Sequence, residues 1–162
     1  MRIIGIDPGL NNTGWGIIEK KQNALSYVAS GVIKPDAKAG MAERLYAIDH
    51  ELDKIVSLYK PDMASIEETF VNKGAASSLK LGMARGVAFL APARAGAAVF
   101  EYGANKVKKS VVGAGHADKN QIQMMVKILL PKSNVKSPDE ADALAIAICH
   151  AHHHNSVERA VI

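Results

Sequence analysis

Acidic side chains at separated positions in this sequence could together hold divalent metal ions. The candidates are Asp7, Glu67, Asp139 and Asp142. Hydrolysis of a phosphodiester requires an activated water and stabilisation of the charge on the leaving oxygen, and two divalent ions about 4 Å apart can supply both. Because Mg²⁺ prefers oxygen ligands and keeps several waters, a few carboxylates are sufficient to bind it. These residue types suggest metal-dependent cleavage of phosphodiesters, provided that the fold brings the acids together.

Two of the acids stand at the ends of predicted strands. Residues 2–6 are largely apolar and β-branched, which is typical of a buried strand, and Asp7 ends that strand. Glu67 ends a similar apolar run over 63–66. If these two strands are neighbours, both carboxylates can occupy one end of the sheet.

The other two acids stand at the start of a predicted helix. Ser137 is placed as its N-cap, Pro138 at the first helical position and Glu140 three residues after the cap, which together predict a capping box. Asp139 and Asp142 are three positions apart, so they share one face of that helix.

Each acid also has a structural interpretation. Asp7 could cap the glycine turn that follows it, and Glu67 could be a solvated acid while its neighbour Glu68 is the functional one. Asp139 could serve the helix dipole, which is worth about 0.3–1 kcal/mol. Asp142 lies at the edge of an otherwise apolar run, so a purely structural role explains it least well.

The remaining hydrophobic patterns predict the elements that must position these acids. Strands are predicted over 2–7, 13–18, 25–33, 63–67 and 97–101. Helices are predicted over 41–59, 75–90, 105–112 and 119–130, with a last one starting near 137. Pro92 is expected to end or kink the second helix. This order predicts an α/β fold with a five-stranded mixed sheet and helices on both faces, as one domain over 1–155 with a tail over 156–162.

Composition restricts the class of protein further. The 162 residues are 48% hydrophobic and 22% charged, and no apolar run reaches the length of a membrane span. The first residues do not have the pattern of a signal peptide, and the single cysteine, Cys149, excludes an internal disulfide. We therefore expect a cytoplasmic protein with no membrane association.

Positive charge is concentrated in one segment. Residues 102–136 hold seven lysines and one acid, Asp118. Such a stripe can neutralise the phosphates of a nucleic acid, although lysine-rich surfaces that are merely solvated are common.

A series of motifs resembles the RuvC family of bacterial Holliday-junction resolvases. The motifs are Gly5-Ile6-Asp7-Pro8-Gly9, Thr13-Gly14-Trp15-Gly16, Ile66-Glu67-Glu68-Thr69-Phe70, Leu79-Lys80-Leu81-Gly82, Ala84-Arg85-Gly86, Val99-Phe100-Glu101-Tyr102, Val107-Lys108-Lys109, Ala117-Asp118-Lys119 and Asp139-Glu140-Ala141-Asp142-Ala143-Leu144-Ala145. They run in the order and spacing of the family from residue 2 to about residue 150. The Asp-Pro-Gly motif alone is shared by many RNase H-like and actin-like proteins, whereas the full series is specific.

The resemblance implies an activity and a set of residues. It implies an RNase H-like homodimer that makes symmetric paired nicks in four-way (Holliday) DNA junctions during recombination and repair, with Mg²⁺ or Mn²⁺, alongside the RuvA–RuvB branch-migration complex. It assigns catalysis and metal binding to Asp7, Glu67, Asp139 and Asp142, and it favours Glu67 over Glu68.

Further roles are implied by the same motifs. Phe70 would meet bases at the opened junction, where an aromatic face can stack on an unpaired base, although it could instead be a core or dimer contact. Lys108 and Lys119 would hold phosphate or stabilise transition-state charge. The small residues over 75–86 could form a dimer surface or pack tightly on the sheet.

Other interpretations of the chain remain open. An actin- or sugar-kinase-type phosphotransferase also begins with a strand, an acid and a glycine turn, but it usually closes two such domains around ATP. A junction-binding protein without activity would keep the basic stripe and lose an acid. The histidines over 150–154 could bind a transition metal, but a solvated helix end is the favoured interpretation, and Cys149 is interpreted as a small core residue.

Overall fold

The computed structural model describes residues 1–68, 74–113 and 115–154. Its strands are β1 (Arg2–Asp7), β2 (Thr13–Lys21), β3 (Ala24–Ile33), β4 (Met63–Glu68) and β5 (Ala98–Gly103). They form one sheet in the order β3-β2-β1-β4-β5. β2 is antiparallel to both β1 and β3, whereas β4 is parallel to both β1 and β5. The predicted mixed sheet of five strands is confirmed.

Helices cover both faces of this sheet, as predicted. They are α1 (Met41–Tyr59), α2 (Ala75–Arg94), α3 (Ala104–Val112), α4 (Lys119–Leu129) and α5 (Pro138–His153). One core cluster joins the sheet to α1 and α2, and the other joins it to α3, α4 and α5. The second cluster contains most of α5, whose residues 143–149 are almost completely buried.

Glycines in β1 and β2 let α5 lie unusually close to the sheet. These glycines are Gly5, Gly14 and Gly16. A Cβ placed on Gly5 would lie 2.0 Å from the Ala143 carbonyl oxygen, and one placed on Gly16 would lie 2.6 Å from Leu144 Cγ. Because these distances are shorter than any ordinary Cβ contact, only glycine permits this approach. The backbone of α5 therefore rests on the middle of the sheet.

Some predicted boundaries were wrong. α2 continues through Pro92 to Arg94, although the proline was expected to end or kink it near residue 90. Pro92 is buried and stands in the last turn, so the helix loses a backbone hydrogen bond only near its end. The segments β2, β4 and β5 also extend past their predicted ends, to Lys21, Glu68 and Gly103.

Within the described ranges, no helix has the length and apolar character needed to cross a membrane. The predicted tail over 156–162 lies outside the described residues.

Candidate active site

Asp7 and Glu67 end neighbouring strands of the sheet. β1 and β4 run parallel, with Ile6 opposite Ile66. Parallel strands present their C-terminal ends at the same edge, and both acids follow these paired isoleucines directly. The condition set by the sequence, that the first and fourth strands are neighbours, is therefore met.

The N-terminal turn of α5 brings the other acids to the same edge. Ser137 caps the helix by accepting a hydrogen bond from the Glu140 backbone N–H, as predicted. Gly14 is the strand partner of Asp7, and a Cβ placed on Gly14 would lie 2.2 Å from the Asp139 carbonyl oxygen. The start of α5 is thus in contact with the residue opposite Asp7.

A cleft of about 570 Å³ opens at this edge. Its charged lining residues are Asp7, Glu67, Asp142, Asp118, Lys108 and Lys119. Asp139 is absent from the lining and stands at the margin, where its Oδ2 accepts a hydrogen bond of 3.3 Å from Asn12 Nδ2. The structure therefore gathers three of the predicted acids and both predicted lysines around one cavity, with the fourth acid beside it.

Burial and mutual repulsion disfavour the charged forms of these acids. Burial raises the pKa of Asp7 to about 7, and the charges of Glu67, Asp142 and Asp139 contribute in the same direction. The pKa of Glu67 is raised by burial and by Asp142, and the pKa of Asp142 is raised by burial and by Asp139. The shifts of Asp7, Glu67 and Asp142 therefore show that these carboxyls and Asp139 lie within electrostatic range of one another.

Lysines on α3 and α4 partly offset this repulsion. Lys119, the first residue of α4, lowers the pKa of Asp7, Glu67 and Asp142. Lys108, on α3, lowers the pKa of Glu67 and Asp142. Asp118 fixes the start of α4 by accepting a hydrogen bond of 2.9 Å from the Gln121 backbone N–H. The cap positions Lys119 at the mouth of the cleft.

The donor chemistry of this cleft suits a hard divalent cation. Carboxylate oxygens are the preferred ligands of Mg²⁺ and Mn²⁺, and a cation between them would offset both the burial and the repulsion that raise the pKa of Asp7. In the described part of the chain, however, no three or more His, Cys, Asp or Glu side chains are already close enough together to coordinate one metal ion. The carboxylates surround the cleft rather than converge on one point, which is compatible with an ion that keeps several waters.

The structural interpretations of two acids are not supported. The turn after Asp7 is closed by Thr13, whose hydroxyl donates a hydrogen bond of 2.7 Å to the Gly9 carbonyl oxygen. Glu68, which the sequence left as an alternative to Glu67, is exposed and does not line the cleft.

Other predicted residues fall elsewhere. Phe70 lies outside the described residues. Cys149 is fully buried, as expected of a core residue. The favoured interpretation of the histidine segment as a solvated helix end is wrong for His150, which is 0% exposed and has its Nδ1 2.9 Å from the Tyr102 hydroxyl oxygen.

Sequence reasoning missed Arg85. This residue of α2 forms an ion pair with Glu101 on β5, and its charge lowers the pKa of Glu67. In the sequence it appeared only within the Ala84-Arg85-Gly86 motif. A helical pattern does not show which arginine of the helix will contact a residue of a following strand. Its contact with Glu101 connects α2 to the strand beside Glu67.

A family model and similar proteins of known name identify one family for this sequence. The family model described as Crossover junction endodeoxyribonuclease RuvC matches residues 3–150, a range that includes all four acids. A protein of that name from Rhodopseudomonas palustris (strain BisA53) is 58% identical over 159 residues, covering 98% of this chain and 91% of the relative. Another from Rhizobium johnstonii is 58% identical over 156 residues, covering 96% and 92%.

A solved structure supports the same assignment. The structure of T. thermophilus RuvC in complex with Holliday junction substrate superimposes with a TM-score of 0.86 at 31% sequence identity, covering 93% of each chain.

Proposed function

This chain belongs to the RuvC family of crossover junction endodeoxyribonucleases, and from that premise we propose that its cleft acids bind the metal ions with which it cuts DNA. The enzyme is a divalent-metal-dependent nuclease, and its substrate is the four-way (Holliday) junction of recombination and repair. The proposed catalytic and metal-binding residues are Asp7, Glu67, Asp139 and Asp142. The observation that carries this assignment is the single cleft that Asp7, Glu67 and Asp142 line together, with Asp139 at its margin.

Asp7 is proposed as the central ligand. Its pKa is raised by burial and by the charges of Glu67, Asp142 and Asp139, so its carboxylate lies within range of all three and would hold metal together with them. When bound, two Mg²⁺ ions, for which Mn²⁺ can substitute, would supply the activated water and stabilise the leaving oxygen. The chain's own contribution is to fix the carboxylates on two strand ends and one capped helix.

Lys108 and Lys119 are proposed to hold the scissile phosphate. Both line the cleft with Asp7, and both lower the pKa of neighbouring acids, so their charges act at the place where the substrate phosphate must approach. Fixed positive charges at that position stabilise the negative charge that develops during phosphodiester cleavage. Phe70, two residues beyond β4 in the sequence, is proposed to stack on a base of the opened junction.

The exposed face of α2 is proposed as the homodimer surface. Leu79, Met83 and Leu90 are 67%, 47% and 52% exposed, and a shallow groove of about 620 Å³ runs beside Leu79 and Met83. The small residues of this helix divide between its two sides. Ala84 and Ala88 are buried in the core with the sheet, whereas a Cβ at Gly82 would meet nothing within 4 Å. A two-fold dimer would present two clefts to the pseudo-two-fold junction and produce symmetric paired nicks.

The cellular setting is proposed from the family. We place the protein in the cytoplasm, acting with the RuvA–RuvB branch-migration complex on junction DNA.

A matched pair of substitutions tests the active-site assignment. We expect wild-type protein with Mg²⁺ to place paired symmetric nicks in a synthetic four-way junction, mapped on all four strands. Glu67→Gln removes a cleft carboxylate and should abolish the nicks, whereas Glu68→Gln changes the adjacent exposed acid and should leave them. Binding measured with Ca²⁺ should be similar for all three proteins. Equal activity of the two variants would contradict the assignment, and binding without cleavage by the wild type would favour a non-enzymatic junction-binding protein.

A further inference from the structure

A third acid at the start of α5 is buried away from the cleft. Glu140 stands between Asp139 and Asp142 and is 7% exposed, yet it does not line the cleft. Its Oε2 accepts a hydrogen bond of 2.8 Å from Ser30 Oγ on β3, and Ser30 Oγ lies 3.1 Å from the Tyr27 hydroxyl. Glu140 therefore connects the first turn of α5 to the strand at the edge of the sheet.

This connection differs from the predicted capping box. The sequence placed Glu140 at the position whose carboxylate reaches back to the N-cap backbone N–H. In the structure, Glu140 Oε1 accepts a hydrogen bond of 3.4 Å from the Ser137 hydroxyl, and its other oxygen is bound to Ser30. Burying a carboxylate costs free energy unless it is hydrogen-bonded, so this tertiary bond is the main compensation for the buried position of Glu140.

This bond is compatible with only one rotation of the first turn of α5 about the helix axis. Successive residues of a helix project about 100° apart, so Glu140 leaves the helix on a different side from Asp139 and Asp142. The glycine contacts fix how closely α5 approaches the sheet. The bond from Ser30 holds Glu140 on the side of the first turn that faces β3, while Asp139 lies at the margin of the cleft and Asp142 lines it.

We propose that Glu140 is a positioning residue, which through its hydrogen bond with Ser30 orients Asp139 and Asp142 toward Asp7. The inference rests on the proposed function, since it treats these three acids as metal ligands. Residues that orient metal ligands affect metal affinity by about 10- to 100-fold when they are removed. A residue that only stabilises the fold would lower the melting temperature and leave metal affinity unchanged.

The test compares substitutions that remove or retain the hydrogen-bond acceptor. Ser30→Ala and Glu140→Ala break the bond, whereas Glu140→Gln retains a side-chain oxygen that can accept from Ser30. Binding of Mn²⁺ to the full-length protein without DNA is followed by electron paramagnetic resonance, well below each melting temperature, together with junction cleavage as a function of Mg²⁺ concentration. Glu43→Ala is the matched control, because Glu43 accepts a hydrogen bond of 3.1 Å from the Gly40 backbone N–H at the start of α1.

We expect Ser30→Ala and Glu140→Ala to weaken Mn²⁺ binding about 10-fold and to raise the Mg²⁺ requirement similarly. Glu140→Gln and Glu43→Ala should bind Mn²⁺ as the wild type does. The proposal is overturned if the two alanine variants lower only the melting temperature, or if Glu140→Gln is as impaired as Glu140→Ala.

Failure of the proposed function gives a different result. If Asp142→Asn binds Mn²⁺ as tightly as the wild type, the metal site lies elsewhere and both proposals fall. If the wild type binds Mn²⁺ in the expected pattern but cuts no junction, the nuclease assignment fails while the positioning role of Glu140 is supported.

Discussion

The two ends of α5 bury polar side chains under opposite conditions. At its N-terminal end, Asp142 enters the cleft beside Asp7 and Glu67, and the carboxyl pKa of each is raised, mainly by burial. At its C-terminal end, His150 is completely buried, and burial lowers its pKa to about 4. The imidazole is therefore neutral at pH 7, and its Nδ1 and Nε2 lie 2.9 Å from the Tyr102 hydroxyl and 3.2 Å from Met63 sulfur.

The difference distinguishes a functional cluster from a structural one. A buried neutral group with partners on both ring nitrogens contributes to the stability of the fold. Several buried carboxylates that repel one another reduce stability, so their presence is better explained by a ligand or a reaction. Substitutions at the N-terminal end should therefore affect catalysis most, and substitutions at the C-terminal end should affect stability most.

The largest effect is expected for Asp7→Asn. Loss of the central metal ligand should slow junction cleavage by at least about 1000-fold, which corresponds to about 4 kcal/mol of transition-state stabilisation. Single-turnover cleavage with Mg²⁺ measures this rate. His150→Leu, assayed at a temperature where it is folded, should cut at nearly the wild-type rate. If the two variants lost cleavage rate to a similar extent, the N-terminal end of α5 could not be called functional and the C-terminal end structural.

The next largest effect concerns the close approach of α5 to β1 at Gly5, which lies between the two ends of the helix. Gly5→Ala would place a Cβ 2.0 Å from the Ala143 carbonyl oxygen, and the helix must shift to accept it. We expect a loss of about 3 kcal/mol in the free energy of unfolding, because overpacking against backbone is poorly relieved. Gly40→Ala is the matched control, since a Cβ there would meet only Glu43 Oε2, at 4.0 Å. Urea denaturation distinguishes the two, and equal stability would show that α5 can move away from the sheet without cost.

A smaller effect is expected at His150, with a defined pH dependence. Its folded-state pKa of about 4 lies below the unfolded value of 6.5, so the unfolded state binds more protons between these pH values. Stability from this group is present above pH 6.5 and is lost as the pH falls toward 4. His150→Leu should lose about 2 kcal/mol at pH 7, because the Tyr102 hydroxyl is deprived of the imidazole.

The same variant should lose stability less steeply than the wild type between pH 6.5 and 4. Thermal melts across this range, with His152→Leu as an exposed control, check the prediction. Parallel pH profiles for His150→Leu and wild type would show that folding does not lower the pKa of His150.

Much of the scaffold could be predicted because it depends on local pattern. The apolar stripe over 41–59 predicted α1 with its observed ends, and the Ser137-Pro138 pair predicted the start of α5. Asp7 and Glu67 could be placed because each ends an apolar run, and the parallel pairing of those strands brings their ends together.

The remaining features depend on tertiary contacts that no local pattern reports. Hydrophobic patterns predict the helices and strands one at a time, so they do not indicate that Gly14 and Gly16 of β2 lie under α5. They also do not indicate that Arg85 of α2 reaches Glu101 of β5. His150 follows an apolar run but is polar, so the sequence favoured a solvated position, whereas its contacts with Tyr102 and Met63 explain its burial. Pro92 was expected to end or kink α2 near residue 90, but the helix continues to Arg94 with Pro92 buried in its last turn.

The smallest predicted effect concerns the stability cost of the acids themselves. The folded-state pKa of Asp7 is about 7, above its unfolded value of 3.8, so between these pH values the folded state binds more protons and stability falls as the pH rises. With a chelator at pH 8, Asp7→Asn should therefore be more stable than the wild type by about 1 kcal/mol, and the difference should vanish near pH 4. Glu68→Gln, which alters an exposed acid, should show no such gain.

Adding Mn²⁺ should reverse this order, because a cation that binds only the folded wild type stabilises it by mass action. Thermal melts of both proteins with chelator and with Mn²⁺ give both results. An Asp7→Asn variant that is less stable than the wild type in chelator would mean that the carboxylate is a structural partner at the N-terminal end, as His150 is at the C-terminal end.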